Sequence, residues 1–399
     1  MSLLFRRVLP SLFAVLVIAS IATLPASGQG PGQGSIASTT PQLVITAYNG
    51  GPAPANWTPP KTPWGEPDLQ GVWSSDDATF PISRGGGRGG GAAQTGLYLD
   101  DAAFEARKKQ IAQDVYNREN NATSTFRNDF ARRAFRQTSY VVDPPDGVMP
   151  QTTAEARKRA ATRDRGTFGD GPFNDFNDFT LYDRCITRGI YGSVARVIYG
   201  NGNRIVQSPG VVAITYEMIH DTRVIHTDGR PHLNDPIRQY LGSSRGWWEG
   251  DTLVVETTNL TNETSIGLNG NGLRHSDKMQ MVERIRRVAD DVVQYQLTVI
   301  DPVTYPRPFT ISIPLTPLDG GVILPYECHE GNQAVRNSLS GERAEERAIA
   351  EDLERGIIRP RRSPQEGQGG RGGGRRGGGA GGRAGGAPNP APAEGDQER

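Results

Sequence analysis

The sequence predicts a mainly β protein, in which an antiparallel meander closes into a barrel, with helical insertions and disordered termini. Three observations carry this. Apolar and polar residues alternate through Val212, Ile214, Tyr216 and Met218, through Val293, Tyr295, Leu297 and Val299, and through Phe309, Ile311, Ile313 and Leu315. A period of two places one set on each face of a pleated strand. Turn formers separate these runs: Glu249-Gly250-Asp251, Ala289-Asp290-Asp291, Asp319-Gly320-Gly321, and Pro302 to Pro308. No helix-length apolar pattern interrupts Val211 to Tyr326, so short connections force antiparallel pairing. A half-buried sheet of that length needs a second layer or closure on itself.

The elements follow in order. Met1 to Gly28 reads as a signal peptide, with Arg6 and Arg7 before an apolar run to Ala22 and small residues Ala26-Ser27-Gly28 for cleavage. Residues 29–62 form a linker rich in Gly, Pro, Ser and Thr. A single barrel domain spans residues 63–355, opening on a strand at Gly71-Val72-Trp73. Residues 84–178 are a helical and loop insertion across the barrel mouth or flank. Within it Arg84 to Ala93 is a glycine-arginine loop, Asp100 or Asp101 caps a helix with Phe104, Ile111 and Val115 on one side and Arg107, Lys108 and Lys109 exposed, and a second helix runs from Thr153 to Arg163. Phe179 to Gln207 returns to sheet-like composition, and Arg245 to Glu256 is a hairpin. Glu342 to Arg355 is a charged helix, and residues 356–399 are a Gly/Arg/Pro-rich tail too poor in apolar residues to pack.

Composition narrows the function classes. The chain has 399 residues, with 50 glycines and 29 prolines concentrated in particular segments, so the globular part is much shorter than the chain. Lys+Arg and Asp+Glu are both 44, so no global field favours nucleic acid or an anionic membrane. The Arg-Gly-Gly tracts near residues 84–91 and 371–383 resemble RNA-binding tails, but no stacking platform accompanies them and the leader directs the chain to export, periplasmic or extracellular. No membrane span is expected after the leader is removed. No Gly-x-Ser-x-Gly elbow, phosphate loop or dinucleotide fingerprint appears in strand–turn–helix context, and no cofactor is implied.

All five histidines lie in the second half. His220, His226 and His232 share one short stretch with Asp228 and Arg230, and turns at Asp221-Thr222 and Asp228-Gly229 would bring His220, Asp228 and His232 toward strand ends. Their spacing matches no metal template, so the alternatives are acid/base groups or structural histidines near turns. Tyr326 to Asn332 is the second cluster, where His329 and Glu330 are candidates for proton transfer or for a hydrogen-bonded strand end. Glu256 and Glu283 fall mid-strand, where a carboxylate faces solvent or is paired, with Arg245 and Arg284 as available partners. Trp247 and Trp248 are adjacent, so one points in and one out. Arg230, Arg245, Trp247, Trp248, Glu256 and Glu283 make up the expected ligand-binding set. Cys185 and Cys328 are either bridged, as suits an exported protein, or two buried thiols.

The series Pro67-Asp68-Leu69-Gln70-Gly71-Val72-Trp73, Glu217 to Asp221, Asp228 to His232, Ser244 to Asn259 and Tyr326 to Asn332 resembles a large family of uncharacterised secreted bacterial proteins abundant in acidobacteria. The resemblance covers Trp64 to Arg347 and brings no activity with it. It implies proline at the position of His226, which argues against an essential role there. The Gly71-Val72-Trp73 start and the meander are also similar to lipocalins, which implies a lipocalin-like barrel.

The leading expectation is an exported barrel that binds a small, partly apolar molecule in its mouth. One rival is an acid/base hydrolase, hydratase or isomerase using His220, Asp228, His232, His329 or Glu330. Another is a cell-envelope interaction protein without a pocket. The oligomeric state is left open.

Overall fold

The alternating runs become strands. The computed structural model describes residues 57–84, 96–120, 131–163, 173–197, 199–270 and 272–358. The leader, the linker to residue 56, residues 85–95 of the glycine-arginine loop and the tail from residue 359 lie outside the described residues. The strands are β1 (Gly71–Ser74), β2 (Val141–Asp143), β3 (Gly202–Ser208), β4 (Val211–Tyr216), β5 (Thr222–His226), β6 (Ser243–Glu249), β7 (Thr252–Thr258), β8 (Ser265–Ile266), β9 (Leu273–Arg274), β10 (Gln280–Ala289), β11 (Val292–Ile300) and β12 (Phe309–Pro317).

Nine of these close a barrel in the order β1-β3-β4-β5-β6-β7-β10-β11-β12, with β12 returning to β1 through Trp73 opposite Pro317 and Ser74 opposite Thr316. Strand β1 covers only the last part of the β12 edge. Strand β2 takes the first part, with Val141 opposite Ile311, while β8 and β9 pair separately. Eight of the nine junctions are antiparallel. The ninth, β5 with β6, is parallel and consists of one bridge, His226 with Arg245. The barrel is therefore mixed, with a weak seam that an all-antiparallel meander lacks.

Closure buries the alternating apolar set. Trp73, Ile205, Ile214, Ile225, Leu253, Ile285, Tyr295 and Ile313 belong to one continuous core that fills the enclosed face. The hairpin at Arg245–Glu256 forms as the spacing predicts, with Glu249 opposite Thr252 and Gly250 at φ 60° in the two-residue turn. Trp248 packs against the main core, while Trp247 points outward onto Val254 and Val282.

The helices are α1 (Asp101–Asn120), α2 (Ala154–Arg163), α3 (Gly189–Val194) and α4 (Ala334–Glu354). Asp100 caps α1 by accepting from Ala103 N–H at 2.8 Å, and the Thr153 hydroxyl accepts from Ala156 N–H at 3.1 Å at the start of α2. Two expectations need correction. Phe179 to Gln207 is not all sheet: α3 lies within it, and every one of its residues is buried. A helix buried on all sides has no polar face to reveal its period. Strand β4 ends at Tyr216, and Met218, though buried, sits in a 3-10 turn. The described residues fall into two compact units, one ending at Glu346 and one beginning at Arg347, and α4 runs across that division. The barrel lies in the first.

Candidate functional site

The weak seam is where the wall opens. Strand β5 pairs fully with β4 on one edge, but on the other it meets β6 only at His226–Arg245. The chain between β5 and β6 makes a same-direction return through residues 227–242 without a helix. At its end Gly242 adopts φ 65°, and a β-carbon there would lie 2.4 Å from the Thr258 carbonyl oxygen. Ahead of the single bridge, β5 and β6 are not paired. A cavity of about 470 Å³ occupies the wedge, lined by Ile186, Thr187, Asp221, Thr222, Arg223, Val224, His226, Leu233, Tyr240, Leu241, Ser243, Ser244 and Arg245 among others.

The alternation of β5 sets what the cavity reaches. Arg223 and Ile225 face the barrel interior and Val224 faces outward. Inside the barrel both Arg223 terminal nitrogens donate to Glu283, Nη2 at 2.6 Å from Oε1, and the Tyr295 hydroxyl donates to the same Oε1 at 2.7 Å. Both charged side chains are almost wholly buried, at 3% and 0% exposure. Burial opposes the Arg223 charge, but Glu283 outweighs it and holds the guanidinium above its ordinary range. Burial also pushes the Tyr295 phenol well up, and Glu283 adds to that.

At the cavity wall the Thr187 hydroxyl donates to Asp221 Oδ2 at 2.5 Å. Burial raises the Asp221 carboxyl, and the Thr187 hydrogen bond only partly offsets it. Arg245 donates from Nε to the Pro231 carbonyl and from Nη1 to the Ser244 carbonyl, each at 2.7 Å. Burial lowers the His226 imidazole, and the nearby charges of Arg230 and Arg245 lower it further against a smaller opposing effect of Asp228. Arg223 Nε and His226 Nδ1 are buried without a hydrogen-bond partner.

Of the residues picked out from the sequence, Arg245 and His226 line the cavity, and Glu283 stands behind it through Arg223. The others lie elsewhere. His220 Nε2 accepts from Tyr326 N–H at 2.8 Å. Asp228 is an exposed partner of Arg230, whose hydrogen bonds hold its carboxyl down to about 2. His232 Nδ1 lies 2.9 Å from the Ser243 carbonyl oxygen, and its Nε2 lies 3.9 Å from Glu256. Trp247 donates to Glu249 at 3.0 Å, whereas the buried Nε1 of Trp248 has no partner. His329 and Glu330 are exposed in a turn. Cys185 and Cys328 are bridged, with Cα atoms 5.6 Å apart. Among the described residues, no three of His, Cys, Asp and Glu are grouped to hold a metal ion.

Sequence reasoning missed Arg223, Asp221 and Thr187. One signal was present: Met281, Glu283 and Ile285 share a phase, which puts a carboxylate on an apolar face and demands a buried cation. Nothing in the sequence says which cation. No family model, curated protein or solved structure matches the chain, so the reading of the site rests on this geometry.

Proposed function

We propose that the protein is exported and binds a small, partly apolar molecule in the wedge between β5 and β6. The observation that carries the binding claim is the cavity itself. At about 470 Å³ it lies within the roughly 300–1,000 Å³ of small-molecule sites. It combines apolar walls from Ile186, Val224, Leu233 and Leu241 with Thr187, Asp221, Ser243, Ser244 and Arg245. The partnerless His226 Nδ1 supplies a further polar group at the cavity wall. The Cys185–Cys328 bond supports export, because such bonds persist in oxidising compartments. So does the motif resemblance to secreted bacterial proteins.

The test is a screen of fragment-sized carboxylates and alcohols by ligand-observed NMR on the full chain, repeated on Thr222→Trp, which fills the wedge from its exposed edge. Fragments that bind the wild type and are lost in the variant support the reading. No binding, or equal binding to both, overturns it. Acid/base catalysis is a second reading favoured by one observation, the raised Asp221 carboxyl in the cavity wall. Chemical conversion of a bound fragment, abolished in Asp221→Asn with binding retained, would establish it.

A further inference from the structure

Arg188 lies outside this binding reading. It directly follows Thr187, precedes α3, and is 1% exposed. Its Nε, Nη1 and Nη2 are all buried and none has a hydrogen-bond partner. Arg223, another deeply buried arginine, shows the contrast: two of its three nitrogens are satisfied by Glu283. Burial lowers Arg188 to about 10, and the groups that act back on it are phenols, Tyr182, Tyr326 and Tyr199. A guanidinium stays charged at neutral pH even so, and a buried charge without a counter-charge is strongly unfavourable.

The phenols are themselves organised. Tyr182 and Tyr199 act on the Tyr326 phenol as well as on Arg188, and burial raises Tyr326 to about 12. Burial raises Tyr199 as well as Tyr326, so both are neutral hydroxyls at neutral pH and give Arg188 no negative charge. They are only partly buried, so the cluster reaches the surface while the guanidinium does not. The segment carrying Tyr326 is fastened on both sides of the cluster. Tyr326 N–H donates to His220 Nε2, and Cys328 is bonded to Cys185, close in sequence to Tyr182 and Arg188.

We propose that Arg188 and the hydroxyls of Tyr182, Tyr199 and Tyr326 form a second binding site, for the oxyanion group of a small ligand, either carboxylate or phosphate. The planar guanidinium fork presents N–H donors in the geometry that such groups accept, and phenolic hydroxyls donate to the same oxygens. The anion supplies the charge that the protein withholds.

The test uses the full chain with its disulfide intact. Unfolding midpoints and titration calorimetry are measured with inorganic phosphate and with acetate, at ionic strength held constant with chloride. The expected result is a saturable rise in midpoint with at least one probe, lost in Arg188→Met and kept in Arg245→Gln, which alters the other cavity. Which probe responds identifies the oxyanion class. The proposal is overturned if neither probe binds the wild type, if Arg188→Met responds as the wild type does, or if Arg245→Gln abolishes the response. Should Arg188→Met fail to fold, Tyr182→Phe and Tyr326→Phe keep the rings and remove the hydroxyls. Tenfold weaker binding in either supports the site, and unchanged binding in both overturns it.

Discussion

The Arg223–Glu283 pair makes the sharpest prediction, because the wedge leads directly to it. Replacing Glu283 with Leu restores the apolar phase of Met281 and Ile285 but leaves the Arg223 charge inside the barrel. Breaking a buried pair from one side costs about 3–5 kcal/mol. The Tyr295 hydroxyl also loses its acceptor, adding about 1–3 kcal/mol. The expected loss is the sum, roughly 4–8 kcal/mol. The double variant Arg223→Met/Glu283→Leu removes both charges and should recover at least about 3 kcal/mol over Glu283→Leu alone. Adding Tyr295→Phe removes the remaining orphan and should recover about 1 kcal/mol or more. Equilibrium urea unfolding without reductant reads these differences, provided the denaturant slope is unchanged. The reasoning is refuted if Glu283→Leu costs less than about 1 kcal/mol and the double variant is no more stable than it. Water entering through the wedge would then be solvating Arg223, and the pair would not be sealed from the cavity.

Three further outcomes are expected. His275 is fully buried, with Nδ1 2.8 Å from the Ser276 carbonyl oxygen, and burial lowers its imidazole to about 4. Its folded value lies below the ordinary 6.5, so the stability it contributes is complete above pH 6.5 and lost as pH falls toward 4. A stability–pH curve of His275→Gln should lack about 3 kcal/mol of that loss, and parallel curves would contradict the assignment. Cys185→Ser/Cys328→Ser opens a closure of 143 residues. On the chain-entropy view this removes up to about 5 kcal/mol, measured by urea unfolding against the oxidised wild type. Gly242→Ala places a β-carbon against the Thr258 carbonyl at a left-handed backbone position. It should cost about 2–5 kcal/mol, from about 1–2 of backbone strain and 1–3 of overpacking, and should abolish fragment binding by shifting the cavity wall. Wild-type stability and binding in this variant would show that the cavity does not depend on that turn.

The sequence showed most of the barrel and little of the site, for definite physical reasons. Strands β11 and β12 are buried on both faces, but their apolar set, Val293 to Val299 and Phe309 to Leu315, alone joins the barrel core, so the alternation still marks the enclosed face. The β6–β7 hairpin is equally local, since Gly250 sits in the turn its spacing demands. Helix α3 left no such mark, because Gly189 to Val194 is buried all round. The histidines misled by sequence proximity. His220 is occupied by the backbone of Tyr326 and His232 lies beside Ser243 and Glu256, so neighbours in the chain serve different surroundings. Arg223 and Glu283 are 60 residues apart, and only closure of the barrel brings them together.

The cavity and the missed residues share one cause. A meander of hairpins gives each strand two paired edges, and its wall is sealed by backbone hydrogen bonds. Returning from β5 to β6 in the same direction, without a crossover helix to hold register, leaves one bridge on that edge. The backbone groups of Thr222 to Ile225 on the unpaired edge then face the wedge, and backbone polar groups seek partners wherever they are enclosed. The cavity along this edge includes Arg223 in its lining. The interior, by contrast, is filled by Trp73, Tyr295 and their neighbours. The proposed binding site is thus tied to the one parallel junction of the barrel. A variant that lengthened the β5–β6 ladder would be expected to stabilise the fold and close the site together.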